Sequence, residues 1–448
     1  MPRLILIDPS LVGFSGHHFE FARRVLSAAR HEGFTSIVAA HRTCAATADE
    51  LGAKVDRVFE YGLWSGDVEP ACCRRFRQRL QPAADHRTAD LGVSANRSSR
   101  AMGRLSEFGR RCADAIRRRR FTGDLVCWSR TVGVTDDDVV FVPTATSAEW
   151  HGCMALLGRE PRWRNARWNL LFRRDAIGPD GRPTADARRL ARSAWVFTEA
   201  CRGGRVACWT DTNELADQYD SLGPLRFGTL PIPVGDGFRP QSTDPAKKPL
   251  RIVFLGDARA EKGFQHLPRL LDQVWDDLVV PGRAQFVLQA CPPRRTEPQV
   301  EPVLAELARR PRPQVTLLHG PLTSAEYQRQ LTQADVVLVP YEPRAYVARS
   351  SGILAEALAA GIPAIVPDGT WMAEQIAAPN GGQAGAIFRR PDEIGLALRE
   401  VIKDYPRFRQ SALALSRRWA DHHSPIRLVR QLAQGSTGDP PARVRWAA

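Results

Sequence analysis

A chain of 448 residues is longer than one ordinary hydrophobic core organises, so two or three domains are expected. Apolar residues make up 43 % and charged residues 25 %, which excludes collagen-like, low-complexity and broadly disordered chains. The net charge of +14 is uneven: residues 71–130 hold fifteen Arg against five acids and carry +10 of it, so an acidic partner or a solvated Arg-rich face is expected there.

The aliphatic run 3–8 reads as a strand, followed by a loop bearing Gly13 and Gly16. Phe19, Ala22, Val25, Leu26 and Ala29 recur at helical spacing from about His18 to Glu32, and Gly33 stops the run. Thr35–Ala40 is the next strand. A strand, a loop, a helix and a strand within about forty residues form a βαβ unit, and hence a parallel sheet. A basic insertion spans about 65–130, with a helical run near 101–120. Strand character returns at 138–143, and a helix from Ser147 to about Leu157 follows. Trp195–Thr198, Cys208–Thr210 and Arg226–Pro233 read as further strands. Asp211 or Thr212 caps a helix between the last two.

Residues 236–249 are polar and rich in Gly and Pro, as a linker is. The βα rhythm then resumes. Strands are expected at 250–256, 285–289, 315–320, 334–340 and 363–367, with helices between them at 264–274, 300–309, 323–333 and 351–361. Strands this apolar belong to a sheet covered on both faces. The reading is an α/β chain of two doubly wound, Rossmann-like domains facing each other across a cleft. Its bounds are 1–235 and 250–434, and 435–448 is a loose tail. No apolar run approaches the ~20 residues of a membrane-spanning helix. The short apolar start meets Asp8 at once, unlike a secretory signal. Nine cysteines without a C-x-x-C pair or zinc spacing read as free thiols. A cytoplasmic location is expected.

Open parallel sheets bind ligands beyond the carboxyl ends of their strands. After the first strand of the second half comes Gly256-Asp257-Ala258-Arg259-Ala260-Glu261-Lys262-Gly263. A loop with glycines, an Arg and a Lys can approach and neutralise a diphosphate. Ser350-Ser351-Gly352 opens a helix, where free N–H groups and the helix dipole seat an anion. Glu356 lies further along that helix among Ile, Leu and Ala. A carboxylate in such company needs a partner, and a ribose diol would supply two donors.

The stretch from Gly256 through Pro367 resembles the C-terminal half of retaining family four glycosyltransferases, which have the GT-B fold. The likeness rests on Gly256 with Lys262-Gly263, on Ala334-Asp335-Val336-Val337-Leu338-Val339-Pro340, and on Glu356-Ala357-Leu358-Ala359-Ala360-Gly361-Ile362-Pro363. It implies that Lys262 binds donor phosphate, Glu356 the ribose, and the Ser350–Gly352 amides the diphosphate. Two departures stand out. The family's first acid, eight residues before Glu356, is Ala348, and Arg259 lies two residues later than the family's Arg. By the same resemblance Gly13 and Gly16 face the donor phosphates across the cleft. His17 or His18 can hydrogen-bond a phosphate or an acceptor hydroxyl.

The function expected is transfer of a sugar from a nucleoside-diphosphate sugar, of the UDP or GDP type, to a carbohydrate or glycolipid acceptor. The resemblance implies retention of anomeric configuration. Lys262, with Arg259 and His17, would act on the departing diphosphate without a metal or other cofactor. Asp136-Asp137-Asp138 precedes a strand, at the wrong end for a ligand. Two alternatives are a nucleotide-sugar epimerase of the same fold and a non-catalytic sugar-nucleotide binder, the latter supported by Ala348. Nucleic acid is not expected as a partner, since no aromatic residues interleave the basic region. Met102, Leu105, Phe108, Cys112 and Ile116 beside Arg117–Arg120 suggest an amphipathic face for peripheral contact with an anionic membrane.

Overall fold

The computed structural model describes residues 1–13, 17–62, 95–197, 205–241, 249–292, 297–310, 313–377 and 381–435, with side chains in the helix Ala95–Ser129 described from Cys112 onward. Gly16, most of the basic insertion and the tail from 436 lie outside the described residues.

Two parallel sheets organise the chain. The first contains β1 (Arg3–Asp8), β2 (Thr35–His41), β3 (Lys54–Phe59), β4 (Val139–Val142), β5 (Arg167–Leu171), β6 (Val206–Thr210) and β7 (Phe227–Thr229). Their spatial order is β3-β2-β1-β4-β5-β6-β7. The second contains β8 (Leu250–Phe254), β9 (Ala284–Ala290), β10 (Val315–His319), β11 (Val336–Leu338), β12 (Ala364–Pro367) and β13 (Gly385–Phe388), ordered β10-β9-β8-β11-β12-β13. In each sheet the chain reverses its direction of growth once, between β1 and β4 and between β8 and β11. There a crevice opens at the carboxyl ends of the strands. Register is set by apolar matching: Ile5 lies between Ile37 and Val140, and Ile252 between Phe286 and Val336.

Helices cover both faces of each sheet, so alternate strand residues enter different cores. Ile5 and Ile7 pack with Trp150, Trp163 and Trp168, while Leu4 and Leu6 pack with Val25, Leu26 and Trp209. This two-sided burial is why the strands read as continuous apolar runs.

Four sequence expectations change. Trp195 and Val196 end the helix Ala185–Val196 instead of forming a strand. Thr184 caps that helix, Ala187, Leu190 and Ala194 bury its inner stripe, and Trp195 and Val196 stay exposed. β3, β5 and β13 were not anticipated; β3 is a half-exposed edge, and β13 has only four residues. The segment 264–274 begins with a 3₁₀ turn, Phe264–His266, before the α-helix Leu267–Val274. Last, the helix Pro425–Gln434, read with the C-terminal domain, packs on the N-terminal sheet. Leu428, Val429 and Leu432 join the Leu4–Leu6 core, Asn169 Nδ2 donates to the Leu432 carbonyl at 3.2 Å, and Arg430 pairs with Glu32 at 2.7 Å. Its apolar stripe leaves no other face to bury.

Candidate active site

The carboxyl ends of the two sheets face each other, and the polar residues between them come from the loops after β1, β5, β6, β8 and β11 and from the helices beside them. On the C-terminal side β8 runs into Gly256, whose φ is +125°. A Cβ there would lie 2.7 Å from Lys262 Nζ, so glycine lets the ammonium lie against the backbone. Gly263 is equally constrained: its φ is +72°, and a Cβ would meet the Pro340 carbonyl oxygen at 1.7 Å. The loop is thereby folded onto the end of β11, and Lys262 is held at the switch point of the sheet. Burial, with the charge of Arg259 second, lowers the Lys262 ammonium to about 8. Arg259 is itself tied to Glu261 at 2.6 Å. Arg349 shares Glu261 at 3.4 Å and stacks 4.5 Å over the ring of Tyr346.

Ser351 caps the helix Gly352–Ala359, its Oγ accepting from the Leu354 N–H at 3.4 Å. This helix follows β11, so its start, with free first-turn N–H groups, lies on the side of that strand's carboxyl end. Ser350 donates its hydroxyl to Asp211 Oδ2 at 2.6 Å, across to the N-terminal half. Glu356 is 8 % exposed, and its partners are protein groups. Arg24 Nη2 donates to one oxygen at 2.8 Å and the Tyr327 hydroxyl to the other at 2.7 Å. The partner foreseen as a ribose is therefore supplied by the chain. Burial raises the Glu356 carboxyl above its ordinary range, against the pull of Arg24 and Tyr327.

On the N-terminal side β1 ends at Asp8, which is 2 % exposed. One of its oxygens accepts from the Ser10 N–H at 2.9 Å and the other faces His18 Nδ1 at 3.0 Å. His17 stacks on His18 with ring centroids 4.2 Å apart. His17 keeps a solvent-exposed surface yet is walled by protein on several sides, as a cleft residue is. Desolvation lowers its pKa well below the usual histidine value, and the charges of His18, Arg173, Lys262 and Arg259 add to this. Lys262 and Arg259, from the opposite wall, thus lie near enough for their charges to act on His17. Gly13 lies in the same loop as His17, but a Cβ there would meet nothing within 4 Å, so local packing does not demand glycine.

Several cleft residues were not singled out in the sequence. Arg173 and Asp175 follow β5, and Asp211 follows β6. Arg173 Nε donates to Asp211 Oδ2 at 2.9 Å. Burial pushes the Asp175 carboxyl up to about 6, against the charge of Arg349. The signal for all three was positional: each stands just beyond a strand's carboxyl end. Thr212, not Asp211, caps the helix Asn213–Asp220, accepting from the Leu215 N–H at 3.1 Å.

Asp138 lies at the opposite edge, where it accepts from Arg3 Nε at 3.0 Å. Among the described residues no cluster of three or more His, Cys, Asp or Glu side chains is placed to hold a metal ion, and no helix is long and apolar enough to cross a membrane. A depression of about 270 Å³ lined by Pro183, Arg188 and Trp195 lies toward the outer end of the helix Ala185–Val196, away from the cleft.

Residues 213–432 match the model of the family described as family 4 glycosyltransferase in conflict systems. No curated protein matches the chain. Solved structures match over almost its whole length. Anabaena Alr3699/HepE, solved with UDP and glucose, is 11 % identical, with a TM-score of 0.61 over 97 % of this chain and 99 % of that one. Sucrose-phosphate synthase from Thermosynechococcus elongatus is 13 % identical, with a TM-score of 0.59 over 97 % and 98 %. WaaG, a glycosyltransferase involved in lipopolysaccharide biosynthesis, is 14 % identical, with a TM-score of 0.53 over 97 % and 100 %. The doubly wound pair of sheets and the cleft between them are those of the GT-B fold, and residues 213–432, just under half of the chain, are similar to the family 4 glycosyltransferase model.

Proposed function

We propose that the protein transfers a glycosyl unit from a nucleoside-diphosphate sugar to an acceptor hydroxyl, with retention of configuration and without a metal. The observation that carries this is Lys262, lodged against Gly256 at the switch point of the second sheet. As the bond from the anomeric carbon to the diphosphate oxygen breaks, negative charge grows on the leaving group. Lys262, assisted by Arg259 and by the N–H groups at the start of the helix Gly352–Ala359, stabilises that charge. His17, neutral near pH 7, offers one N–H to a phosphate or to the acceptor. Glu356, oriented by Arg24 and Tyr327, retains lone pairs that can accept from a ribose hydroxyl. HepE, solved with UDP and with UDP-glucose, supports a UDP-type donor.

Calorimetric titration with UDP and with GDP tests the reading. One of them should bind, and Lys262→Ala should weaken it by at least roughly tenfold, the scale of a charge-assisted phosphate contact. A folded protein that binds neither nucleotide would sink the donor site. Retention is read from the anomeric configuration of the product by NMR.

Arg118, Arg119 and Arg120 are exposed on the helix Ala95–Ser129, whereas Arg117 turns inward to Asp114. We propose that this face lies on anionic membrane. Salt-sensitive sedimentation with phosphatidylglycerol vesicles is expected; no sedimentation at low salt refutes it.

A further inference from the structure

We propose that Asp211, contributed by the N-terminal half, accepts a hydroxyl of the donor sugar and so takes the place of the carboxylate missing at Ala348; this rests on the donor-site reading above. Ala348 is fully buried, and its carbonyl accepts from the Thr212 hydroxyl at 2.6 Å. Positions 348 and 211–212 therefore adjoin where the two halves meet.

The state of the Asp211 carboxylate is the second observation. Its side chain is only 3 % exposed. Oδ2 is held by Arg173 Nε and the Ser350 hydroxyl, while Oδ1 is buried without a hydrogen-bond partner. An ionised carboxylate accepts on both oxygens, and leaving one buried and unmade is costly. Local structure does not account for this acid. The helix cap it was a candidate for is made by Thr212, and Arg173 uses only the oxygen that Ser350 also uses.

Its place fits a sugar. Asp211 touches Ser350, the residue leading into the anion seat at Ser351 and Gly352. A sugar attached to a diphosphate on that seat extends from it toward the opposite wall. Arg173, which pairs with Asp211, is a donor only and so suits a phosphate oxygen. A sugar hydroxyl that must give its proton needs an acceptor, and Asp211 provides one with an oxygen to spare.

Binding of UDP, GDP and a panel of their sugars (glucose, galactose and N-acetylglucosamine on UDP; mannose and fucose on GDP) is measured for wild type, Asp211→Asn, Asp211→Glu and, as a control on an exposed acid, Asp236→Asn. Asparagine is isosteric and keeps one oxygen for Arg173, but puts an amide donor where Oδ1 was. In Asp211→Asn, nucleotide affinity should hold within about twofold, while the ratio of nucleotide-sugar to nucleotide affinity falls at least tenfold. Asp211→Glu, which keeps the charge against Arg173, should fold like wild type and also lower the ratio by misplacing the oxygen. Asp236→Asn should leave it unchanged. A wild-type protein that binds neither nucleotide removes the donor site itself. Intact nucleotide binding with an unaltered ratio in Asp211→Asn, or with no sugar accommodated by wild type, overturns the role of Asp211 alone. Joint loss of nucleotide and sugar binding in both Asp211 variants makes it a structural residue and likewise overturns it.

Discussion

The loop of Lys262 was legible as a candidate phosphate site because it carries Gly256 and Gly263 at the end of an apolar strand. The protonation of Lys262 was not, because burial depends on what the rest of the chain places around it. With the ammonium lowered to about 8, first by desolvation and then by Arg259, it loses its proton as pH rises through that value. The form that binds phosphate is then depleted, so nucleotide affinity should fall roughly tenfold between pH 7 and pH 9. Lys262→Arg, whose guanidinium stays charged, should flatten the profile if it binds at all. A pH-independent wild-type affinity over this range would contradict the deep placement of Lys262. Glu356 teaches the complement. Its need for a partner followed from its apolar helix, but the partners, Arg24 and Tyr327, are distant in sequence and no local pattern marked them.

At the scale of elements, the loop after β8 depends on backbone geometry that only glycine adopts. Gly263→Ala meets both a left-handed φ of +72° and the Pro340 carbonyl oxygen. Strain of ~1–3 kcal/mol is expected, seen as a lower thermal midpoint, together with weaker nucleotide binding because Lys262 shifts. Unchanged values for both would mean that the loop is not pinned against β11. The helix Pro425–Gln434 carries a different lesson. Its apolar spacing was readable, but nothing in that spacing says which core it enters. Leu432 is fully buried, in a helix that lies against β4 and β5, so Leu432→Ala should cost ~2–5 kcal/mol. Hydrogen exchange should rise in β4 and β5; a rise confined to β8–β13 would refute its packing on the first sheet.

At the scale of the whole molecule, the two halves are joined by polar contacts around the cleft. Arg24 to Glu356, Ser324 to Glu20 at 2.6 Å and Thr212 to the Ala348 carbonyl all cross it. At the crossover the Ile232 N–H donates to His423 Nδ1 at 2.9 Å and the Val234 N–H donates to the His423 carbonyl at 2.9 Å. Such a seam excludes water from a reacting sugar when closed and can open by exchanging a few hydrogen bonds. Glu214 and Glu374 add a pH-sensitive contact. Burial, with Glu374 beside it, pushes the Glu214 carboxyl up to about 7. A raised carboxyl favours the folded, closed form while protonated. That contribution is full below the ordinary carboxylate range and is lost as pH rises through about 7. Glu214→Gln should therefore raise the thermal midpoint at pH 8 relative to wild type and leave it nearly unchanged at pH 5; an equal shift at both would exclude the titration.

The sequence by itself determined the alternation of strands and helices, the two doubly wound halves and the places where loops meet the carboxyl ends of strands. Those features rest on periodicity and glycine chemistry within a few residues, which burial on both faces of a sheet imposes locally. The tertiary structure alone decided which core the last helix enters, that Thr212 and not Asp211 caps its helix, and how the cleft charges pair. Arg24 and Glu356 are 332 residues apart, and Ser350 and Asp211 are 139 apart. Pairings of that kind are set by how two finished sheets meet, and the meeting depends on the shapes of whole surfaces.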